Sequence, residues 1–276
     1  MRIFVTGGTG FIGSHYIKQA CYAGYQVTAI RRQNSAPRIN LDGNVKWVEG
    51  TLEDNFTSEL KKCDAFVHFA SHGVDPRTAT WDDCYRWNVS ATLNQLQSAI
   101  NTGIKRFVIA GSCFEYGLSG ERYEYIPVDA PLEPTGAYHA SKACATMTAI
   151  GLSIDKKLEM IILRPFHTYG EGEADYRFWP SLQKAALTGD DFEMSEGAQV
   201  RDFIEVSEVA KIFLQATIRT DVIQGCPQIE NVGSEKPQTL LSFAKSEWTR
   251  LGASGLLKPG TVSMRKDEVM RFVPKL

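Results

Sequence analysis

The 276-residue chain has no basic excess. Its 30 lysines and arginines stand against 32 acidic residues, a formal balance of −2. A global positive field that would draw in nucleic acid or an anionic membrane is excluded, so an anionic ligand must be held by locally placed arginines. The six cysteines, at positions 21, 63, 84, 113, 144 and 226, include no C-x-x-C pair. Zinc spacing and a small disulfide framework both lack support, and free, mostly buried thiols in a reducing compartment are expected. No apolar run approaches the roughly 20 residues needed to span a bilayer. The first expected strand begins almost at Met1, which leaves no room for a signal peptide and points to a cytoplasmic protein. Internal repeats and low-complexity segments are also lacking.

What is present begins at the N-terminus. Ile3 to Val5 reads as a strand, a turn carries Gly7, Gly10 and Gly13, and a helical stretch runs from about Ile12 to Ala23. Strand, glycine turn and helix together place a pyrophosphate on a helix N-terminus, where free N–H groups and the helix dipole meet its charge. One glycine makes the tight turn, one lets phosphate approach the backbone, and one lets helix and strand come close.

Further strands are expected at Gln26–Ile30, Val45–Val48, Ala65–Phe69, Arg106–Ala110 and Glu159–Leu163, with long helices over about 82–101 and 138–155. The alternation and the continuous apolar strands predict an α/β fold: a Rossmann-type, doubly wound parallel sheet. Ligands on such sheets sit beyond the carboxyl ends of the strands, which makes Thr6, Arg31, Ala70, Ser112 and Arg164 candidates. Past about Pro165 the segments shorten and Gly and Pro rise. We read 1–165 plus about 201–218 as the dinucleotide-binding domain, and about 166–200 and 219–276 as a small substrate-binding region. The piece 201–218, again strand then helix, is expected to return to the main sheet.

Tyr138-His-Ala-Ser-Lys142 puts a phenol and an ammonium one helical turn apart on one face. An ammonium beside a phenol lowers its pKa from about 10, and a phenol so tuned can exchange a proton with a carbonyl or carbinol oxygen. Ser112, at the end of the fifth strand, can hydrogen-bond the same oxygen. Taken alone, a Tyr-x-x-x-Lys is more often a solvated surface pair.

The surrounding motifs set the context. TGGTGFIGSH (6–15), HFAS (68–71), Asn88-Val89, GSCFEYG (111–117), YHASK (138–142), LRPFHTYG (163–170) and RDFIEV (201–206) occur in order along the chain. In these the sequence resembles the extended short-chain dehydrogenase/reductase family, in its nucleotide-sugar epimerase, dehydratase and reductase branch. The resemblance implies that Tyr138 is the acid/base, that Lys142 lowers its pKa and binds the nicotinamide ribose, and that Ser112 orients the substrate oxygen. It places the dinucleotide on Gly7, Thr9, Gly10, Phe11, Ile12, Gly13, Arg31, Arg32, Leu52, Phe69, Ala70, Tyr138, Lys142, Pro165 and His167. It places the sugar nucleotide on Ser112, Cys113, Phe114, His167, Arg201 and Arg265. Asn88 is its structural asparagine, and relatives often form homodimers through two helices, here those near 82–101 and 138–155.

The departures are informative. NAD-using members carry an acid at the end of the second strand, whereas this chain has Arg31 and Arg32. A guanidinium cannot accept from ribose hydroxyls but pairs with a 2′-phosphate, which favours NADP(H) over NAD; the alternative is a surface arginine pair. Thr51 stands where the family often has an adenine-contacting aspartate. Cys113 and Phe114 replace the acidic pair of the dehydratases, so dehydration is not expected. Glu115, one position on, would point the other way on an extended chain and is read as structural. Arg201 matches an arginine that meets the diphosphate, its alternative being a local pair with Asp202 or Glu205. Arg265 resembles a second such arginine, though the family's usual tail is missing beyond Leu276. His167, in place of an asparagine, either donates a hydrogen bond or packs in the core. His72 lies near the expected nicotinamide end.

The expected activity is NADPH-dependent reduction of the C4 keto group of a CDP-, dTDP- or GDP-linked 4-keto-6-deoxyhexose in deoxysugar biosynthesis, since GSCFEYG looks most like reductases of that kind. The runner-up is a nucleotide-sugar 4-epimerase that retains its NAD(P). A third reading is a silent NADP-binding regulator, which the presence of Tyr138, Lys142 and Ser112 opposes. No metal, nucleic acid or membrane partner is expected.

Overall fold

The structure, a computed structural model, describes residues 1–75, 77–264 and 268–276. Seven parallel strands form the main sheet: β1 (Arg2–Thr6), β2 (Gln26–Arg31), β3 (Val45–Glu49), β4 (Ala65–His68), β5 (Arg106–Ala110), β6 (Glu159–Pro165) and β10 (Gln228–Val232), in the order β10-β6-β5-β4-β1-β2-β3. Order reverses between β1 and β4, which opens a crevice at their carboxyl ends.

Successive residues of a strand point to opposite faces, and here both faces are covered. Ile3, Val5, Val67, Val108, Ile161 and Leu163 pack on one side with Tyr16 and Ile17 of α1 (Phe11–Tyr22) and Val209 and Phe213 of α7 (Val206–Ile218). Phe4, Phe66, Phe107, Ile109, Met160 and Ile162 pack on the other. They meet Leu60 of α2 (Thr57–Leu60), Leu96 and Ala99 of α4 (Thr92–Asn101) and Ala149 of α5 (Ala137–Lys156). Each fully buried apolar side chain of this size contributes about 1.5–3 kcal/mol before entropy is counted. The expected fold class is therefore the observed one.

A second sheet joins β7 (His167–Tyr169), β9 (Val200–Glu205), β11 (Pro237–Thr239) and β13 (Arg271–Phe272), and β8 (Phe192–Met194) pairs with β12 (Leu257–Pro259). Around them α6 (Phe178–Thr188) and α8 (Leu240–Arg250) bury Leu182, Ala186, Met194, Ala244 and Trp248. Two expectations are corrected here. The strand at 201–205 does not return to the main sheet; only α7 packs against it. The seventh main-sheet strand is β10, from the stretch assigned to the substrate region. It is an edge strand, QIENV, whose first four residues are only partly buried. Its polar residues hide the apolar run that a central strand would show.

Candidate active site

At the end of β1 the chain enters the glycine turn. Gly7 has φ +70°, and a Cβ there would lie 2.3 Å from the Ala70 nitrogen. A Cβ on Gly13 would lie 2.2 Å from the Gly7 carbonyl oxygen. Both positions therefore require glycine, one for its dihedral and one for the approach of helix to turn. Gly10 caps α1 with no side-chain bond, so the N–H groups of Phe11, Ile12 and Gly13 lack intrahelical partners. That bare, positively polarised terminus fits the pyrophosphate of a dinucleotide. The Thr9 hydroxyl accepts from Ser35 at 3.0 Å, which ties the turn to the loop after β2. Ser35 was not singled out in the sequence, and no motif there marks it.

Arg31 lies at the end of β2. Its guanidinium is 5.7 Å over the Trp47 ring and 3.5 Å from the Glu49 carboxylate, and its Nε is buried without a partner. Arg32 is exposed beside it. Leu52 is buried in the core beneath, and its carbonyl accepts from Gln95 at 2.9 Å. Phe69 turns its ring into the core, 5.1 Å from Tyr16 and 4.8 Å from Phe213, so only its backbone faces the crevice. Ala70 abuts Gly7, and Pro165 is buried at the end of β6.

Thr6 and Thr92 hold His68 between them, at 2.7 Å from Nδ1 and 3.1 Å from Nε2. Burial first, then the Lys142 charge, pushes its pKa down to about 3, so the ring is neutral. Beyond it the 71–73 loop is fixed by Asn88, which sits in a π-helical turn (Arg86–Ala91) that follows α3 (Trp81–Tyr85). The Asn88 carboxamide accepts from the His72 N–H at 2.7 Å and donates to the His72 carbonyl at 2.9 Å. It also donates to the Ser141 hydroxyl at 2.9 Å. The expected structural role of Asn88 thus has a geometric basis. The His72 Nε2 is buried without a partner.

Tyr138 opens α5, and Lys142 follows one turn later. Small residues at 141, 145, 149 and 153 line the buried face of that helix at i,i+4 spacing. Burial raises the Tyr138 pKa, while the hydroxyls of Ser71 and Ser112 pull it down. The Lys142 ammonium donates to the Ala110 carbonyl at 2.6 Å. The expected lowering of the phenol is not found in this geometry: burial outweighs the two serine hydroxyls, and Tyr138 stands above its ordinary value. Ser71, inside the HFAS motif, is a site residue that the sequence reading passed over. Ser112 is buried and extended (φ −156°, ψ 140°), and its hydroxyl oxygen accepts from the Phe114 N–H at 3.2 Å. With that lone pair occupied, its single proton serves an oxygen in front of it, that of Tyr138 or of a bound ligand.

Cys113 is buried, and burial pushes its thiol up to about 12, so it stays neutral. Phe114 stacks on His139 at 4.9 Å. The His167 ring sits among Phe114, Phe203 and Phe272 with Nδ1 buried and unpartnered. Burial, aided by the charges of Arg201 and Arg177, pushes His167 down to about 3. Arg201 is buried and donates to Glu268 at 2.7 Å and to the Val269 carbonyl at 2.6 Å. Its partner is neither of the acids considered. Asp202 instead accepts from the N–H groups of Ser234 and Glu235, and Glu205 caps α7. Arg265 lies outside the described residues. Glu115 is not on an extended chain: Cys113–Glu115 forms a 3₁₀ turn that brings its carboxylate back to the Ser112 N–H at 2.8 Å. Among the described residues no group of His, Cys, Asp and Glu forms a metal site, and no helix is long and apolar enough to cross a membrane.

The chain is 27% identical over 235 residues to UDP-glucose 4-epimerase of Lactobacillus helveticus, covering 76% of this chain and 69% of that one. It is 26% identical over 297 aligned positions to UDP-glucose 4-epimerase of Neisseria meningitidis serogroup B, covering 96% and 86%. Among solved structures it resembles MoeE5 in complex with UDP-glucose and NAD, with TM-score 0.81, 27% identity, and 98% and 88% coverage. It also resembles DesIV, the dTDP-glucose 4,6-dehydratase of Streptomyces venezuelae with NAD and TYD bound, with TM-score 0.82, 27% identity, and 100% and 88% coverage. Residues 3–233 match the sequence pattern of the NAD dependent epimerase/dehydratase family, and the chain belongs to that family.

Proposed function

We propose that the protein carries out nicotinamide-dependent redox chemistry at C4 of a nucleoside-diphosphate hexose, and that C4 epimerisation is its form. The observation that carries this reading is that Lys142, one helical turn after Tyr138 on α5, is bonded to the carbonyl of Ala110, the last residue of β5 and two before Ser112, so the helix bearing the phenol and ammonium meets the serine at the carboxyl end of the sheet. Relatives named UDP-glucose 4-epimerase favour epimerisation and a UDP-hexose substrate. Dehydration is disfavoured, because a neutral thiol at Cys113 and a phenyl ring at Phe114 cannot protonate a leaving hydroxyl.

In this reading Ser112 donates its proton to the sugar O4 and holds it against Tyr138. Tyr138, as the phenolate, takes the carbinol proton during oxidation and returns that proton on re-reduction. A bound nicotinamide supplies the hydride acceptor and donor. Lys142 contributes positive charge and binds the nicotinamide ribose, and the bare N-terminus of α1 receives the pyrophosphate. The segments around β7–β9 and β11–β13 carry the sugar nucleotide, with Arg201 and His167 nearest the diphosphate.

A second reading, NADPH-dependent reduction of a nucleotide-linked 4-keto-6-deoxyhexose, is favoured by Arg31, whose guanidinium suits a 2′-phosphate. One experiment separates the two. Purified protein is mixed with each dinucleotide, UDP-glucose or UDP-galactose, and a set of CDP-, dTDP-, GDP- and UDP-4-keto sugars. Isomerised sugar without net cofactor change supports epimerisation. Stoichiometric loss of NADPH supports reduction and ends the first reading. Exposed Trp81 and Tyr85 on α3 and Met147 and Ile154 on α5 support a homodimer through these helices, which light scattering tests.

A further inference from the structure

Beneath the catalytic turn lies a charged group that the redox step does not use. Glu115 is fully buried. Its Oε1 accepts from the Ser112 N–H at 2.8 Å and from the Thr146 hydroxyl at 3.0 Å, and its Oε2 accepts from the Arg164 Nε at 2.8 Å. Burial pushes its pKa up, and the Arg164 and Lys142 charges together with the Ser112 and Arg164 hydrogen bonds pull against that; with three donors on it, we take the group as the carboxylate. Arg164, itself 2% exposed, is held in turn by the Tyr116 hydroxyl at 2.9 Å and the Val128 carbonyl at 3.1 Å. The space is filled: a Cβ on Gly111 would lie 2.9 Å from Glu115 Oε1 and 3.0 Å from Arg164 Cγ. One carboxylate therefore meets the catalytic serine's backbone, the helix that bears Tyr138 and Lys142, and the strand β6.

We propose that Glu115 is a positioning residue for the reaction: it anchors Ser112 through its backbone N–H and supplies the buried counter-charge that keeps Lys142 an ammonium. The inference rests on the C4 reading of the site. Lys142 is 4% exposed and makes one hydrogen bond, to Ala110, so burial works against its charge. Two titratable groups act on it: Glu115 from the 3₁₀ turn and His68 from β4. His68 is neutral. Glu115 is the carboxylate that favours it, and it pulls the lysine pKa upward. The same charge pushes the Tyr138 pKa up, so its removal lowers both groups together.

The test uses the dinucleotide-bound protein labelled at lysine Cε with carbon-13, with the Lys142 resonance assigned by its loss in Lys142→Met. Glu115→Gln is expected to lower the Lys142 titration midpoint by about half a pH unit or more. It also moves the kcat/KM profile to lower pH. A folded Glu115→Gln protein whose midpoint and profile superimpose on those of the wild type overturns the counter-charge. Glu115→Asp keeps the charge but withdraws it from Ser112. It is expected to lower kcat about tenfold or more with the Lys142 midpoint unmoved, and full kcat there overturns the anchoring, whether or not the glutamine variant folds. If the wild type turns over no nucleotide sugar, the proposed function fails, while the lysine titration still decides the role of Glu115.

Discussion

Asn88 grips His72 by both backbone groups, accepting from its N–H at 2.7 Å and donating to its carbonyl at 2.9 Å. A third bond, to the Ser141 hydroxyl, fastens the same carboxamide to α5. The loop that carries Ser71 is thereby locked to the helix that carries Tyr138. Asn88→Ala leaves a buried N–H and a buried carbonyl without partners, each costing about 1–3 kcal/mol. Urea unfolding should show a loss of about 2–4 kcal/mol, with kcat falling as Ser71 drifts from the phenol. A variant with wild-type stability and kcat would show that the loop needs no such clasp.

Tyr138→Phe removes the hydroxyl and keeps the ring. Dinucleotide affinity, measured by fluorescence titration, is expected to stay within about twofold, while kcat falls by about 10²–10⁴. Unchanged turnover would remove Tyr138 from the chemistry.

Arg31→Asp exchanges a phosphate partner for a ribose acceptor at the end of β2. A charge-assisted contact is worth about 1.5–3 kcal/mol, so the ratio of NADP to NAD affinity should fall by about 10–100-fold. Equal affinity ratios in the two proteins, read by calorimetry, would mean that Arg31 serves only Trp47 and Glu49.

His167 ties stability to pH. Its folded pKa, about 3, lies below the reference of 6.5. The unfolded chain takes up a proton below about 6.5 that the folded protein refuses, so stability is fully present above that pH and is lost as pH falls toward 3. The slope is about 1.4 kcal/mol per pH unit. Burial raises Glu173 to about 7, which acts in the opposite sense, so the comparison is made against His167→Phe, where Glu173 cancels. Between pH 6 and pH 4.5 the wild type should lose about 1–2 kcal/mol more than the variant in urea unfolding. Parallel curves would show that His167 protonates in the folded state.

Much of the site could be read along the chain because its parts are local. A glycine turn, a phenol and an ammonium four residues apart, and a serine after an apolar strand are each short-range patterns whose geometry follows from φ/ψ space and helical period. Other parts could not. Glu115 was judged on an extended chain, but the Ser112 cap bends the segment into a 3₁₀ turn and reverses its side chain. The local alternative for Arg201, a pair with Asp202 or Glu205, is not the one formed: Glu268, 67 residues on, is the acid that meets it across the fold.

The amino-acid sequence by itself determined six strands of the main sheet and the glycine turn, since local periodicity and side-chain chemistry suffice for these. Only the tertiary structure decided where the Lys142 ammonium is directed, which strand closes the main sheet and which carboxylate lies under Ser112. Those outcomes depend on desolvation and on contacts between residues far apart in the chain, and burial acts on a group only once the fold has enclosed it.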